Sequence, residues 1–405
     1  MTTATYPAFQ PRQGTGEGPD IIDRLVAFLL IVFLVFFFVG ERIETLVIPI
    51  RIEDFMFILL LPLSYRYLAR PKTKLFYWIA AYFVVNLIPY TAAIIAGEYS
   101  LGSYPIIMVK EIEYFYIAFL ITELRSKWVF ATVDSLALFI IGNGLRALYQ
   151  GEISYYGIGT FGNYSAPSLA GALYLFSTVW LHIRSKLVPG IGLRWVARMV
   201  VVAGAICVVA TISRSSIAAL LVYASVYMLL AHAALVPLFV AGLGLSPKVI
   251  QAIALLAGTG YGTIATRVVA RASRIGNSAL DRSGKWEYYM SLFEPMDFVF
   301  GRGKGYPNAL DGTYGLGVDS QYIRTVMENG FVGVVILAAI FWIMLEDIRR
   351  HRGEFQHAWA LVMAMFVMSV PLEALQVSKS GGFFWLAMFY MLRCQRRFPA
   401  HRLQV

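Results

Sequence analysis

Polar residues cut this chain into apolar runs long enough to cross a bilayer. Twelve such runs are read, at residues 21–39, 47–68, 75–96, 104–122, 128–149, 167–183, 195–212, 215–230, 233–256, 326–345, 358–371 and 381–392. A helix rising 1.5 Å per residue needs ~20 residues to cover ~30 Å of hydrocarbon. Barrel strands would alternate apolar and polar side chains, and these runs do not. The chain is 59% hydrophobic and 14% charged, against ~25% charged in soluble domains. Too little polar surface remains to cover a water-soluble core. A disordered chain needs the opposite balance. The expected fold class is an all-α polytopic integral membrane protein with about twelve transmembrane helices. Its most interrupted stretch is 231–266, which holds Gly242, Gly244 and Pro247.

Loop charge sets the expected orientation. With the N-terminus inside, the inner loops hold Arg66, Arg70, Lys72 and Lys74, then Arg125 and Lys127, then Arg184, Lys186, Arg194 and Arg198, and then Arg349, Arg350 and Arg352. The tail adds Arg393, Arg396, Arg397 and Arg402. The short outer loops at 97–103, 150–166 and 378–380 hold almost none, Lys379 excepted. This is the positive-inside bias, and it accounts for the net charge of +10 without nucleic acid. Both termini are expected to be cytoplasmic. Residues 1–20 form an uncleaved cytoplasmic tail, 21–256 hold spans one to nine, 326–392 hold spans ten to twelve, and 393–405 form a basic tail. Cys207 and Cys394 have no partners at disulfide or metal spacing and read as inert.

Residues 257–325 break the pattern. They form a polar loop of ~70 residues between spans nine and ten, longer than connection requires. It is expected outside, yet it carries Arg267, Arg271, Arg274, Arg282, Lys285, Arg302, Lys304 and Arg324. Long loops translocate regardless of charge, so the arrangement is permitted.

Four constellations could carry chemistry. Ser213-Arg214-Ser215-Ser216 forms a tight turn at the outer membrane surface. Arg214 is either a snorkelling interfacial residue or a planar fork that grips phosphate among hydroxyls. Arg267, Arg271 and Arg274, spaced i, i+4, i+7, share one helix face. That face is either solvated or takes an anion. Arg282 and Trp286 stand four apart, and Trp286 could stack on a sugar ring or anchor at the interface. The run Gly301-Arg302-Gly303-Lys304-Gly305 would let backbone amides approach an anion. It is not a P-loop, because GxxxxGK[ST] is missing. Then come Asp319-Ser320-Gln321-Tyr322 and Glu328-Asn329-Gly330. Asp319 is either a helix N-cap or a general base near the bilayer surface. Lys110, Glu111 and Glu113 interrupt the fourth span and allow an i, i+3 ion pair, and Glu373 follows the eleventh.

All five histidines (His182, His232, His351, His357, His401) fall on the cytoplasmic side. No His/Cys cluster or Asp-x-Asp pair occupies the outer loop, so neither a metal nor another cofactor is expected. Without nucleotides outside, a synthetic reaction needs a pre-activated donor such as a lipid diphosphate. The alternative of a transporter for lipid-linked sugars or other anions would place the charges near the midplane rather than at the outer rim.

In this order, the Ser-Arg-Ser turn, the Arg282…Trp286 pair, the Phe298-to-Gly305 glycine run, Asp-Ser-x-Tyr and Glu-Asn-Gly resemble the bacterial O-antigen polymerase and ligase group. These are the Wzy-like membrane glycosyltransferases. The resemblance covers about residues 211–335 and implies a GT-C-like helical fold in the inner (cytoplasmic) membrane. It implies an enzyme of lipopolysaccharide biosynthesis that transfers an oligosaccharide from an undecaprenyl-diphosphate donor at the periplasmic face, without metal. Arg214 and Arg282 would bind the donor diphosphate, supported by Arg271 and Arg274. Asp319 would be the base, and Trp286 and Tyr322 would line the glycan. The ligase branch commonly has a histidine where Asp319 stands, which favours a repeat-unit polymerase over a ligase-type transferase. The acceptor would attack the anomeric carbon from the face opposite the leaving lipid diphosphate and invert it. A chain-length regulator is a possible partner.

Overall fold

The computed structural model describes residues 21–39, 52–68, 74–95, 104–124, 126–149, 153–154, 157–158, 167–186, 191–211, 213–235, 275–303, 306, 320–350, 355–370 and 378–394. Most of these are helical; the exceptions are short turns and one two-residue antiparallel ladder, which pairs Ile153 with Ile158 and Ser154 with Gly157. The helices are α1 (Ile21–Val39), α2 (Ile52–Leu68), α3 (Lys74–Ile95), α4 (Tyr104–Leu124), α5 (Lys127–Tyr149), α6 (Pro167–Ser185), α7 (Ile191–Ala210), α8 (Arg214–Ala231), α9 (Ile275–Ser291), α10 (Pro295–Phe300), α11 (Gln321–Arg350), α12 (Phe355–Ser369) and α13 (Ser378–Cys394). Among the described residues, five are long and apolar enough to cross a membrane by length and composition: α1, α5, α7, α8 and α11. Shorter apolar helices lie within α3, α4, α12 and α13. The chain is a helical membrane protein. Most of the expected ninth span, 233–256, lies outside the described residues.

The helices associate through a layer of aromatic side chains. Phe341 of α11 stacks on Trp385 of α13 at 5.5 Å and meets Phe366 of α12 at 5.7 Å and Phe384 of α13 at 5.9 Å. Trp385 meets Phe115 of α4 at 4.2 Å, Phe115 meets Phe83 of α3 at 5.5 Å, and Phe384 meets Phe176 of α6 at 5.8 Å. Such rings prefer edge or offset contacts, and each pair adds ~1 kcal/mol beyond burial. In lipid this packing matters more, because apolar burial alone does not favour helix–helix contact.

Three helices are clasped at one end by Asp134 of α5. Its carboxylate accepts Nε of Arg184 at 3.0 and 3.2 Å, one terminal guanidinium nitrogen at 2.7 Å and the Trp180 indole at 2.8 Å. Arg184 also donates to the Tyr390 hydroxyl of α13 at 2.8 Å and lies over the rings of Phe130, Trp180 and Tyr390. The pair is only partly withdrawn from water, and the charge-assisted fork fixes its geometry. A similar contact joins Arg66 and Tyr67 of α2 to Asp23 of α1. Of the charges expected to interrupt the fourth span, Glu113 is fully buried, and the side chains of Lys110 and Glu111 lie outside the described residues.

The expected tenth span is not one straight helix. Gly330 interrupts α11 with φ +60° and ψ −171°. Tyr322 donates its hydroxyl to the Phe366 carbonyl at 2.7 Å, and Phe341 also meets Phe366. A straight helix would separate Tyr322 from Phe341 by about 28 Å, too far for both to reach one residue. The chain therefore turns back at Gly330. The piece before it carries a buried polar series, Gln321, Arg324, Thr325, Glu328 and Asn329.

Candidate functional site

The Ser-Arg-Ser-Ser turn is anchored by its own hydroxyls. Thr211 closes α7 by donating to the Val208 carbonyl at 2.7 Å, and its side chain accepts the Ser213 amide at 3.3 Å. Ser213 caps α8: its hydroxyl accepts the Ser216 amide at 3.4 Å and lies 3.1 and 3.0 Å from the hydroxyls of Ser215 and Ser216. Such a cap stabilises a helix by ~1 kcal/mol. Ser216 reaches the Ser168 carbonyl of α6 at 3.4 Å. The approach requires Gly171, where a Cβ would meet the Ser216 hydroxyl at 2.3 Å. Thr211, Ser213 and Ser216 are buried and Arg214 is half-buried. A short polar frame thus fixes where Arg214 leaves the backbone.

Register along α12 relates this turn to Tyr322. His357, near the start of α12, meets the Tyr223 hydroxyl of α8 at 2.8 Å and lies 4.6 Å from the His182 ring of α6. Phe366 lies level with Phe176, through Phe341 and Phe384. Phe176 precedes His182 on α6, so α12 runs antiparallel to α6. Ser216 bonds Ser168 near the starts of α8 and α6, while Tyr223 meets His182 further along both, so α6 and α8 run parallel. Nine residues separate Tyr223 from Arg214 and nine separate His357 from Phe366, about 13.5 Å in each case. Arg214 and the Tyr322 hydroxyl on Phe366 therefore sit at nearly the same height beside α12. This hydroxyl donates its proton to a backbone carbonyl, which leaves its oxygen as an acceptor and its partly exposed ring to line a sugar.

Two motifs of the sequence interlock. At the end of α10, the Arg302 amide donates to the Met327 carbonyl at 2.8 Å and the Gly303 amide to the Glu328 carbonyl at 3.0 Å. The break at Gly330 strips those carbonyls of helical partners, and the glycine loop supplies replacements. Backbone approaches backbone so closely that a Cβ at Gly301 would meet the Asn329 amide at 2.4 Å, and one at Gly330 would meet the Val299 carbonyl at 2.2 Å. Both glycines have positive φ, +74° and +60°. The glycine run is expected to offer these amides to an anion. Those of Arg302 and Gly303 are instead used inside the protein. Arg302 is likewise structural: it bonds Asp297 at 2.8 Å, the Tyr306 hydroxyl at 3.2 Å and the Leu292 carbonyl at 3.2 Å. The last contact ties the loop to the end of α9, the helix bearing Arg282 and Trp286.

Beneath the loop lies a polar group that sequence reasoning missed as a unit. Arg324 donates to Glu328 at 3.0 Å, with side-chain exposures of 8% and 0%. Asn329 donates to the Tyr82 hydroxyl of α3 at 3.3 Å. The Asn329 carbonyl oxygen and both amide atoms of Asn86 have no hydrogen-bond partner among the described residues. The signal was present: Tyr82 and Asn86 lie one turn apart in an apolar span, and polar residues inside a membrane point to function.

Among the expected site residues, the structure brings Arg214 and Tyr322 to one level. Trp286 is half-buried on α9. Arg282 stands on α9, with its side chain outside the described residues. Arg271, Arg274 and Asp319 lie outside them altogether. The first helical bond of α11 runs from the Arg324 amide to the Ser320 carbonyl at 3.0 Å. Asp319 itself, whether cap or base, lies outside the described residues. Among the described residues no group of three or more His, Cys, Asp or Glu could hold a metal.

Residues 199–338 match the model of the O-antigen ligase family, Wzy_C. The matched stretch runs from α7 through the turn at Arg214, the glycine loop and the break at Gly330. It is consistent with the Wzy-like polymerase and ligase family and supports an O-antigen-related membrane enzyme. No curated protein and no solved structure matches the chain.

Proposed function

We propose that this chain, carrying an O-antigen ligase domain over residues 199–338, is a repeat-unit polymerase. It transfers glycan from an undecaprenyl-diphosphate donor to a lipid-linked acceptor at the periplasmic face of the inner membrane. The observation that carries the reading is the frame around Arg214. A tight turn of hydroxyl residues, inside the matched stretch, fixes where Arg214 leaves the backbone at the start of a helix long enough to span a membrane.

In this reading Arg214 and Arg282 hold the donor diphosphate, with Arg271 and Arg274 in support. The leaving group gains charge as the anomeric bond breaks. Guanidinium donors already in place stabilise that charge more than they stabilise the ground state. Asp319 takes the proton of the acceptor hydroxyl, which attacks the anomeric carbon from the opposite face. The sugar inverts, and lipid diphosphate leaves. Tethering both substrates to lipid lowers the entropy lost on meeting. No metal has a step here. Twelve spans, both termini in the cytoplasm and a chain-length regulator as partner complete the proposal.

Ligase-type transfer is the second reading, and the family's own description favours it. Purified protein given only the lipid-diphosphate oligosaccharide separates the two. A polymerase lengthens the glycan by whole repeat units, whereas a ligase waits for a chemically distinct acceptor. Arg282→Ala is expected to abolish product while leaving the protein in the membrane; an unchanged ladder removes Arg282 from the mechanism. Asp319→Asn is expected to do the same, because an amide does not accept the proton.

A further inference from the structure

The helix α10 lies within the loop expected at the periplasmic face, and its contacts with α11 bear on its depth. Leu345 is followed by Glu346, Arg349 and Arg350, which pair with one another at the exposed end of α11. From Phe331 to Leu345 the helix has fifteen residues, about 22 Å. The hydrocarbon core is ~30 Å thick. With that end of α11 at one membrane surface, Gly330 lies below the opposite surface, and tilt would only deepen it. The end of α10 is locked to this point, because Val299 and Phe300 backbone atoms fill the space where a Gly330 side chain would stand.

At that depth α10 presents an apolar face. Met296 is 66% exposed, and Val299 and Phe300 are exposed beside it. Phe298 stacks on Phe331 at 6.5 Å, and the exposure continues down α11 through Phe331, Val335 and Trp342. The polar atoms of the segment turn inward. Asp297 is used by Arg302 and the Glu294 amide, and the Arg302 and Gly303 amides satisfy the broken helix. Irregular backbone survives at membrane depth only when its polar groups are met by protein.

We infer that Pro295–Phe300 and the following turn, 301–303, re-enter the leaflet opposite the Arg349–Arg350 end. Met296, Val299 and Phe300 contact bilayer acyl chains as a continuation of the lipid-facing stripe of α11. The inference rests on the membrane-spanning reading of α11 and not on the transfer reaction, so its test uses no sugar substrate.

The test is spin labelling of the full chain in vesicles of zwitterionic and anionic phospholipid, with Cys207 and Cys394 replaced by alanine. Labels are placed at Met296→Cys and, as a second position, Phe300→Cys. Val335→Cys reports lipid and Gly284→Cys, exposed on α9, reports water. At Met296 and Phe300 the ratio of oxygen to water-soluble nickel accessibility is expected to equal that at Val335. It should be roughly tenfold above that at Gly284, because oxygen partitions into acyl chains and the nickel complex does not. A nickel-accessible signal like that of Gly284 at both positions overturns the inference. Low accessibility to both reagents also overturns it, because the face would then be covered by protein rather than by lipid.

Discussion

Gly330→Val is expected to prevent stable folding. The residue sits at φ +60°, where a β-branched side chain is strained by ~1–3 kcal/mol. Its Cβ would also meet the Val299 carbonyl oxygen at 2.2 Å and the Phe300 amide at 2.5 Å. Both are backbone atoms, so neither swings aside. Relief requires the glycine loop to leave α11, which abandons the bonds from Arg302 and Gly303 to the carbonyls of Met327 and Glu328. The combined penalty is on the order of 4 kcal/mol or more. Gly284→Ala is the matched control, since a Cβ there meets nothing within 4 Å. Thermal unfolding in detergent should show a large loss for the first and almost none for the second. Similar stability in both would mean that the interlock between α10 and α11 is not what holds this region.

Arg214→Ala is expected to lower transfer by about a hundredfold or more, the range for removing one preorganised donor from a developing charge. Folding should survive, because the cap of α8 is formed by the Ser213 hydroxyl and not by Arg214. Arg214→Lys keeps the charge but loses the planar fork, so it should fall between wild type and alanine. The effect should appear in turnover at saturating donor, because the interaction strengthens as the leaving group forms. If alanine changes only the donor concentration needed for half-maximal rate, Arg214 binds the lipid diphosphate without stabilising its departure.

Much of this was legible in the chain because lipid imposes a simple code. The helix α1 was expected at 21–39 and occurs at Ile21–Val39; the unbroken apolar run from Leu25 to Val39 admits no other reading. The turn at Arg214 was legible for a related reason, since consecutive small hydroxyl residues between two apolar runs can cap a helix and do little else there. The break in α11 was not. Glu328-Asn329-Gly330 opens an apolar run, and composition alone reads that as the entry of a span. What decides the geometry is a glycine at positive φ with another backbone filling the space of its missing side chain, a contact between residues about thirty apart. The ion pair of Arg184 with Asp134 was hidden likewise. Each charge lay near the end of its own run, and only the packing of α5 against α6 brings them to 2.7 Å. The polar group of Tyr82, Asn329, Arg324 and Glu328 combines both difficulties, because it needs the break and the packing of α3 together.

The most direct measurement is to incubate the purified full chain with a defined lipid-diphosphate oligosaccharide, chelator present, and weigh the products by mass spectrometry. The account predicts glycans longer by whole repeat units and an equal release of lipid diphosphate, both lost in Arg214→Ala. Donor that stays intact with every acceptor offered, or that only changes leaflet, would contradict it.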